Sequence, residues 1–298
     1  MKPHIRLNKP LAPKTSRSSN LLTVTVPIHA TKLACLGLLS LSTLSATAQN
    51  ITPQASGADS TTITNSPPSA ATTPAANVNT AIVPIPRAGK EAAWNGIVTG
   101  AISASEKANS EASIQVIFDG DSITAFWTSR AKDIWETYQT KYHAFDFAIS
   151  GDATQNVLCR LDKGQAKGLH PKLIFLMIGH NNAMNNTPEQ ICEGVAAIIK
   201  KYQEVCPDAV IILQATFPTK EPGSKYRKAI EALDKLLPNL AEPGKVTYID
   251  FGDKFLSPDG TISKDIMPDG THPVEKGFQI WAAAIQPILD QYFPPSGQ

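Results

Sequence analysis

The run Leu173-Ile174-Phe175-Leu176-Met177-Ile178 limits the fold more than any other feature of the chain. Six consecutive apolar residues between polar flanks read as a strand buried on both faces, because a strand with one wet face would alternate. Such a strand needs cover on both sides, and its neighbours in sequence can supply it. Strands are predicted at 114–119, 144–149, 172–178, 209–215 and 245–250, and helices at 123–140, 154–163, 188–205, 224–238 and 275–291. Strands that alternate with helices predict an α/β fold. The expected form is a three-layer α/β/α sandwich around a flavodoxin-like five-stranded parallel sheet. Residues 91–104 add a weaker helical pattern with Trp94 as an anchor, and no internal repeat is present.

The N-terminal third has a different character. Residues 1–48 carry six Lys/Arg and no Asp or Glu, then a Leu-rich stretch over 33–44, then Ala46-Thr47-Ala48. That order predicts a secretory signal peptide cut before Gln49, and hence a secreted or periplasmic protein. Removing six positive charges takes the formal net charge from +1 to −5, which carries no global signal for nucleic acid. Residues 49–83, rich in Ala, Thr, Ser and Pro, have too few large apolar residues to offset the entropy of ordering and are expected to be a disordered linker. The folded domain is expected over 84–298, with no membrane span in the mature chain.

Three cysteines remain after cleavage: Cys159, Cys192 and Cys206. The last two flank one predicted helix and would sit roughly 20 Å apart, beyond the reach of a disulfide. Cys159 with Cys192 stays possible. No CxxC or HExxH occurs, and His143, His170, His180 and His272 lack ligand spacing, so no metal is expected. No Gly-rich phosphate loop is present, so no cofactor is expected either.

The predicted strand ends carry the candidate chemistry. Gly120-Asp121-Ser122 follows the first strand, Ser150-Gly151-Asp152-Ala153-Thr154 the second and Gly179-His180-Asn181-Asn182 the third. Asp269-Gly270-Thr271-His272-Pro273 precedes the last helix. In a doubly wound sheet these loops share the edge where ligands bind. A hydrolase needs a nucleophile, a base, a group that orients the base and donors for an oxyanion. Ser122 is the candidate nucleophile, His272 the base and Asp269 the orienting carboxylate. The Ser122 and Gly151 N–H groups and the Asn181 amide are the candidate oxyanion donors. Each piece also has a plain reading. Ser122 suits a helix N-cap, Gly151-Asp152 and Asp269-Gly270 suit turns, and Asn181-Asn182 suits a helix entry.

Taken together, the four blocks resemble the SGNH, or GDSL-type, serine hydrolases, in particular the branch that includes platelet-activating factor acetylhydrolase catalytic subunits and secreted bacterial carbohydrate O-acetylesterases. The resemblance covers roughly residues 110–290. It implies that Ser122, Asp269 and His272 form a triad and that Ser122, Gly151 and Asn181 form the oxyanion hole. His180 stands where the branch usually has Thr, and Cys159 where a Trp is common, which leaves the catalytic groups intact and implies a pocket of different shape. His180 and Asn182 are expected to bind substrate, and Asp121 to brace the turn. The resulting expectation is a secreted esterase that removes short acyl groups, acetyl first, from a small-molecule or glycan ester. A lysophospholipase or thioesterase is the rival enzyme, and a catalytically dead glycan-binding module the rival outside catalysis.

Overall fold

The computed structural model describes residues 78–294. The predicted signal peptide and most of the predicted linker lie outside them. Five parallel strands, β1 (Val116–Gly120), β2 (Ala144–Asp146), β3 (Leu173–Met177), β4 (Val210–Gln214) and β5 (Val246–Ile249), lie in the order β2-β1-β3-β4-β5. This is the expected flavodoxin-like order, with its reversal between β1 and β3. The helices are α1 (Glu91–Glu111), α2 (Ser122–Ala125), α3 (Trp127–Arg130), α4 (Lys132–Tyr142), α5 (Thr154–Asp162), α6 (Pro188–Val205), α7 (Lys225–Asp234) and α8 (Glu275–Tyr292).

Alternate residues of each strand feed two separate cores, so both faces of the sheet are dry. Ile117, Ile174, Leu176, Ile211 and Leu213 face Val157, Leu161, Val195, Ile198 and Leu233 from α5, α6 and α7. Val116, Phe118, Phe175, Met177 and Ile212 face Trp135, Tyr138, Phe278, Trp281 and Ile285 from α4 and α8. Every residue of the Leu173–Met177 strand is buried, as its unbroken apolar run requires. Helix α6 starts where its sequence says it should. Thr187 accepts from the Gln190 N–H at 3.3 Å, Gln190 Oε1 accepts from the Thr187 N–H at 3.1 Å, and Pro188 fills the first turn.

Four expectations need correction. The single helix over 123–140 is three pieces, parted at Phe126, where ψ rises to −3°, and at Ala131, which leaves helical geometry at φ −138° and ψ 47°. The break lets Trp127 pack on Phe278 and Trp281, with ring centroids 4.6 and 4.9 Å away. Strand β2 ends at Asp146, whose Oδ1 takes the Ala148 N–H at 2.8 Å. The chain still follows β1 through Phe147 N–H to Phe118 O and Ile149 N–H to Gly120 O. The 224–238 helix stops at Asp234 and is followed by a 3-10 turn at Leu237–Leu240. Finally, residues 80–83 belong to the folded body rather than to a linker. Thr80–Ile82 forms a 3-10 turn capped by Asn79, Ala81 is fully buried, and Ala81 O accepts from Thr154 Oγ1. Cys159, Cys192 and Cys206 are all free thiols, so the Cys159–Cys192 pairing is not made.

Candidate active site

Strand β1 delivers Ser122 to the carboxyl edge of the sheet. Gly120 ends the strand so close to Met177 O that a Cβ would overlap it, and a Cβ would also lie 2.7 Å from Thr124 Oγ1. Only glycine lets the chain turn there. Asp121 then caps the short helix α2, its Oδ1 taking the Ile123 N–H at 2.9 Å. Burial pushes the Asp121 carboxyl up to about 7, against the hydrogen bond from Ile123. The bracing role expected of Asp121 fits this capping bond.

The loop before α8 brings the other two groups. His272 Nε2 lies 2.8 Å from Ser122 Oγ, and His272 Nδ1 lies 2.7 Å from Asp269 Oδ2. Asp269 also organises its own loop, since Oδ1 accepts from the Thr271 N–H at 3.0 Å and the His272 N–H at 2.8 Å. Partial burial opposes its charge, but the hydrogen bonds from the His272 backbone, the His272 ring and the Thr271 backbone outweigh that and bring the carboxyl down to about 2. A carboxylate held ionised at this position fixes the imidazole tautomer with the proton on Nδ1, leaving Nε2 to accept the serine proton. The Phe126 ring packs against His272 at 5.2 Å between centroids and carries the Arg130 guanidinium 4.0 Å from its centroid. Arg130 in turn donates to Pro273 O at 3.2 Å, which ties the histidine loop to the serine side of the site.

The candidate oxyanion donors converge on the same edge. Gly151 sits at φ +84°, a conformation that side chains rarely adopt. Among the described residues neither the Ser122 nor the Gly151 N–H has a hydrogen-bond partner. Asn181 Nδ2 donates to Asp152 O at 2.8 Å and, at the longer distance of 3.3 Å, to Asp121 Oδ2, so it reaches the carboxylate that caps α2.

His180 and Asn182, expected to bind substrate, are buried behind this arrangement. Asn182 Oδ1 accepts from the Thr154 N–H at 3.0 Å, and its Nδ2 donates to Gln155 Oε1 and Asn186 Oδ1 at 2.9 and 3.1 Å. Its polar atoms are thus committed to joining the third loop to α5. His180 lies between Tyr226 Oη at 3.1 Å and Thr219 Oγ1 at 3.3 Å, and Thr219 Oγ1 reaches Thr271 Oγ1 at 2.7 Å. Burial, then repulsion from His272 and Lys220, lowers the His180 pKa to about 4, so it stays neutral. The sequence reading did not identify this bridge between the Asn181 loop and the His272 loop. It also missed a fully buried ionic cluster beneath the site. Arg160 Nε pairs with Asp152 at 2.8 Å, and its Nη2 pairs with Asp119 at 3.0 Å. Arg160 also donates to Phe147 O at 3.1 Å and to Gln165, and Asp119 takes the Tyr202 hydroxyl. The signal was an arginine on the apolar side of α5, between Leu158 and Leu161.

The profile of the GDSL-like lipase/acylhydrolase family matches residues 118–280. The human platelet-activating factor acetylhydrolase IB subunit alpha1 is 30% identical over 176 residues, which is 59% of this chain and 75% of that protein. The rat alpha2 subunit is 32% identical over 164 residues, 55% of this chain and 70% of that protein. Among solved structures, a GDSL-like lipase from Bacteroides thetaiotaomicron superposes with a TM-score of 0.53 at 17% identity, over 65% of this chain and 99% of that one. A platelet activating factor protein from Streptococcus pneumonia gives 0.52 at 20% identity, over 66% and 98%. These two likenesses concern the fold.

Proposed function

Since this chain belongs to the GDSL-like lipase/acylhydrolase family and is a carboxylic ester hydrolase, we propose that Ser122, His272 and Asp269 cleave short-chain acyl esters, acetyl esters above all, through an acyl-enzyme. The observation that carries this reading is the relay from Ser122 Oγ to His272 Nε2 to Asp269 Oδ2 at 2.8 and 2.7 Å. In the first half-reaction Nε2 takes the hydroxyl proton while Oγ attacks the ester carbonyl carbon. The carbonyl oxygen becomes an oxyanion, met by the Ser122 and Gly151 N–H groups and by the Asn181 amide, which turns from its long 3.3 Å bond to Asp121. Asp269 stabilises the imidazolium, which then protonates the departing alcohol. In the second half, His272 takes a proton from water, the hydroxide attacks the acyl carbon, and the acid leaves as Oγ recovers its proton.

The preference for acetyl is supported by the relatives, which are named acetylhydrolases. The alcohol we read as a carbohydrate on a secreted protein's substrate. An open site, with the Asp269 side chain 52% and that of His272 26% exposed, suits a bulky polar alcohol better than a buried acyl chain. The second reading, a lipid acylhydrolase, is favoured by the relatives' association with platelet-activating factor. A nitrophenyl ester series separates the two. Turnover should be greatest at two carbons, whereas a maximum at eight or longer would transfer the protein to the lipid reading. Acetate release from acetylated glycans should vanish in Ser122→Ala, with kcat down roughly 10⁶-fold while the fold persists by circular dichroism. Unchanged turnover in that variant would refute the catalytic assignment, and no turnover by the wild-type protein would revive the glycan-binding alternative.

A further inference from the structure

Residues 84–97 precede the stretch matched by the family profile, yet Arg87, Lys90, Trp94 and Ile97 build one wall of a cleft whose other side is Ala125, Ile149 and Ser150, next to the site. The turn before α1 places the Arg87 guanidinium against Gly151, where it donates to Ser150 O. It lies so near the Gly151 Cα that a Cβ on that residue would overlap it. A cation is therefore fixed beside one of the candidate oxyanion donors. From there a cleft of about 300 Å³ runs between α1 and the sheet edge. Arg87 and Lys90 line it together with Trp94 and Ile97 from α1, Ile149 from the second loop and Ala125, three residues after Ser122. Its wall is firm, because Trp94 Nε1 donates to Asp152 Oδ1 at 2.7 Å and so joins the buried Arg160 cluster. Its apolar side is open to a ligand, since Ile97 remains 54% exposed. Among the described residues neither Arg87 nor Lys90 pairs with a carboxylate. A guanidinium anchored through one nitrogen keeps its other donors for a planar or tetrahedral anion.

We propose that this cleft receives an anionic group on the alcohol part of the ester, a carboxylate or a phosphate, held by Arg87 and Lys90 with the adjoining carbon skeleton against Ile97 and Ala125. The proposal rests on the esterase reading above, because a small acyl group leaves the bulk of the substrate in the alcohol. It makes the segment before the first strand the part of the chain that selects substrate.

Calorimetry on full-length Ser122→Ala tests binding without turnover, using methyl glucuronide, glycerol 3-phosphate and neutral methyl xyloside. The anions should bind better than the xyloside, and Arg87→Gln in the same background should weaken them about tenfold, the scale of a lost charge-assisted hydrogen bond. Binding of the glucuronide alone assigns an acidic sugar and binding of the phosphate alone a phosphorylated alcohol, and either supports the site. A kinetic arm compares acetate release from acetylated uronate and neutral xylo-oligosaccharides. Arg87→Gln, and separately the exposed Lys90→Gln, should lower the ratio of their kcat/KM values, and added salt should lower it in the parent protein. No preference for anions in the parent, or an equal loss on both esters, would overturn the proposal and leave Arg87 as a brace for the Ser150-Gly151 loop. If the parent turned over no ester, the esterase reading would fail and calorimetry alone would decide the site.

Discussion

Replacing Arg160 with Met tests whether the site rests on a buried ionic cluster. Arg160, Asp119 and Asp152 are all fully buried, and the guanidinium makes ion pairs of 2.8 and 3.0 Å with the two carboxylates. It also donates to the carbonyls of Phe147 and Gly120 at 3.1 and 3.3 Å. Methionine can fill much of the volume but satisfies none of these acceptors. Two carboxylates would then stay buried without a counter-charge, and removal of one partner of such a pair typically costs about 3–5 kcal/mol. That is a fifth or more of the roughly 5–15 kcal/mol that holds most domains folded. For a body of this size each kcal/mol moves Tm by about 2–4 °C, so the melting temperature should fall by roughly 6–20 °C. The loss should also depend on pH. Burial already raises the Asp152 pKa, and Arg160 opposes that rise. Without the guanidinium the carboxyl prefers its neutral form when folded, so the deficit relative to wild type should widen from pH 5 to pH 8. Thermal melts across that range give the answer. A fall of less than about 3 °C, or a deficit independent of pH, would refute the view that this cluster braces the Gly120 and Gly151 loops.

Three further outcomes follow from the geometry. Gly151→Ala forces a side chain into φ +84° and onto the Arg87 guanidinium, so ester turnover should drop by at least about tenfold, while melting temperature changes by only a few degrees. Asn181→Ala removes one candidate oxyanion donor and should lower kcat by about 10²–10³-fold with KM little changed, and an equal change in KM would instead point to ground-state binding. The His180 pKa is depressed to about 4 from an ordinary value near 6.5, so the unfolded chain binds the extra proton first as pH falls. Stability should therefore be fully present above about pH 6.5 and decline toward pH 4, and His180→Gln should flatten that slope in urea titrations.

The strand-to-helix rhythm, the five parallel strands and the four polar loops were legible in the amino-acid order, because they depend on local features. An apolar run such as residues 173–178 has only one comfortable environment, and a glycine or a capping residue acts within a few positions of itself. The spacing of Asp269 and His272 likewise determined that one loop could orient an imidazole. What the order of residues could not decide was which distant groups meet. Ser122 and His272 are 150 positions apart, and only the packing of α8 against α3 and the sheet brings Oγ within 2.8 Å of Nε2. The same limit hid the break at Ala131, since apolar spacing of three or four persists across a kink. It also hid the fates of His180 and Asn182, which sit in the right loop and point inward to hold neighbouring loops together. Arg160, one charge inside the helix predicted over 154–163, became the hub of a cluster, while Arg87, just ahead of the helical pattern over 91–104, became a cation beside Gly151. Burial and hydrogen-bond partners are properties of the assembled chain, and so the tertiary structure alone assigned those four residues their surroundings.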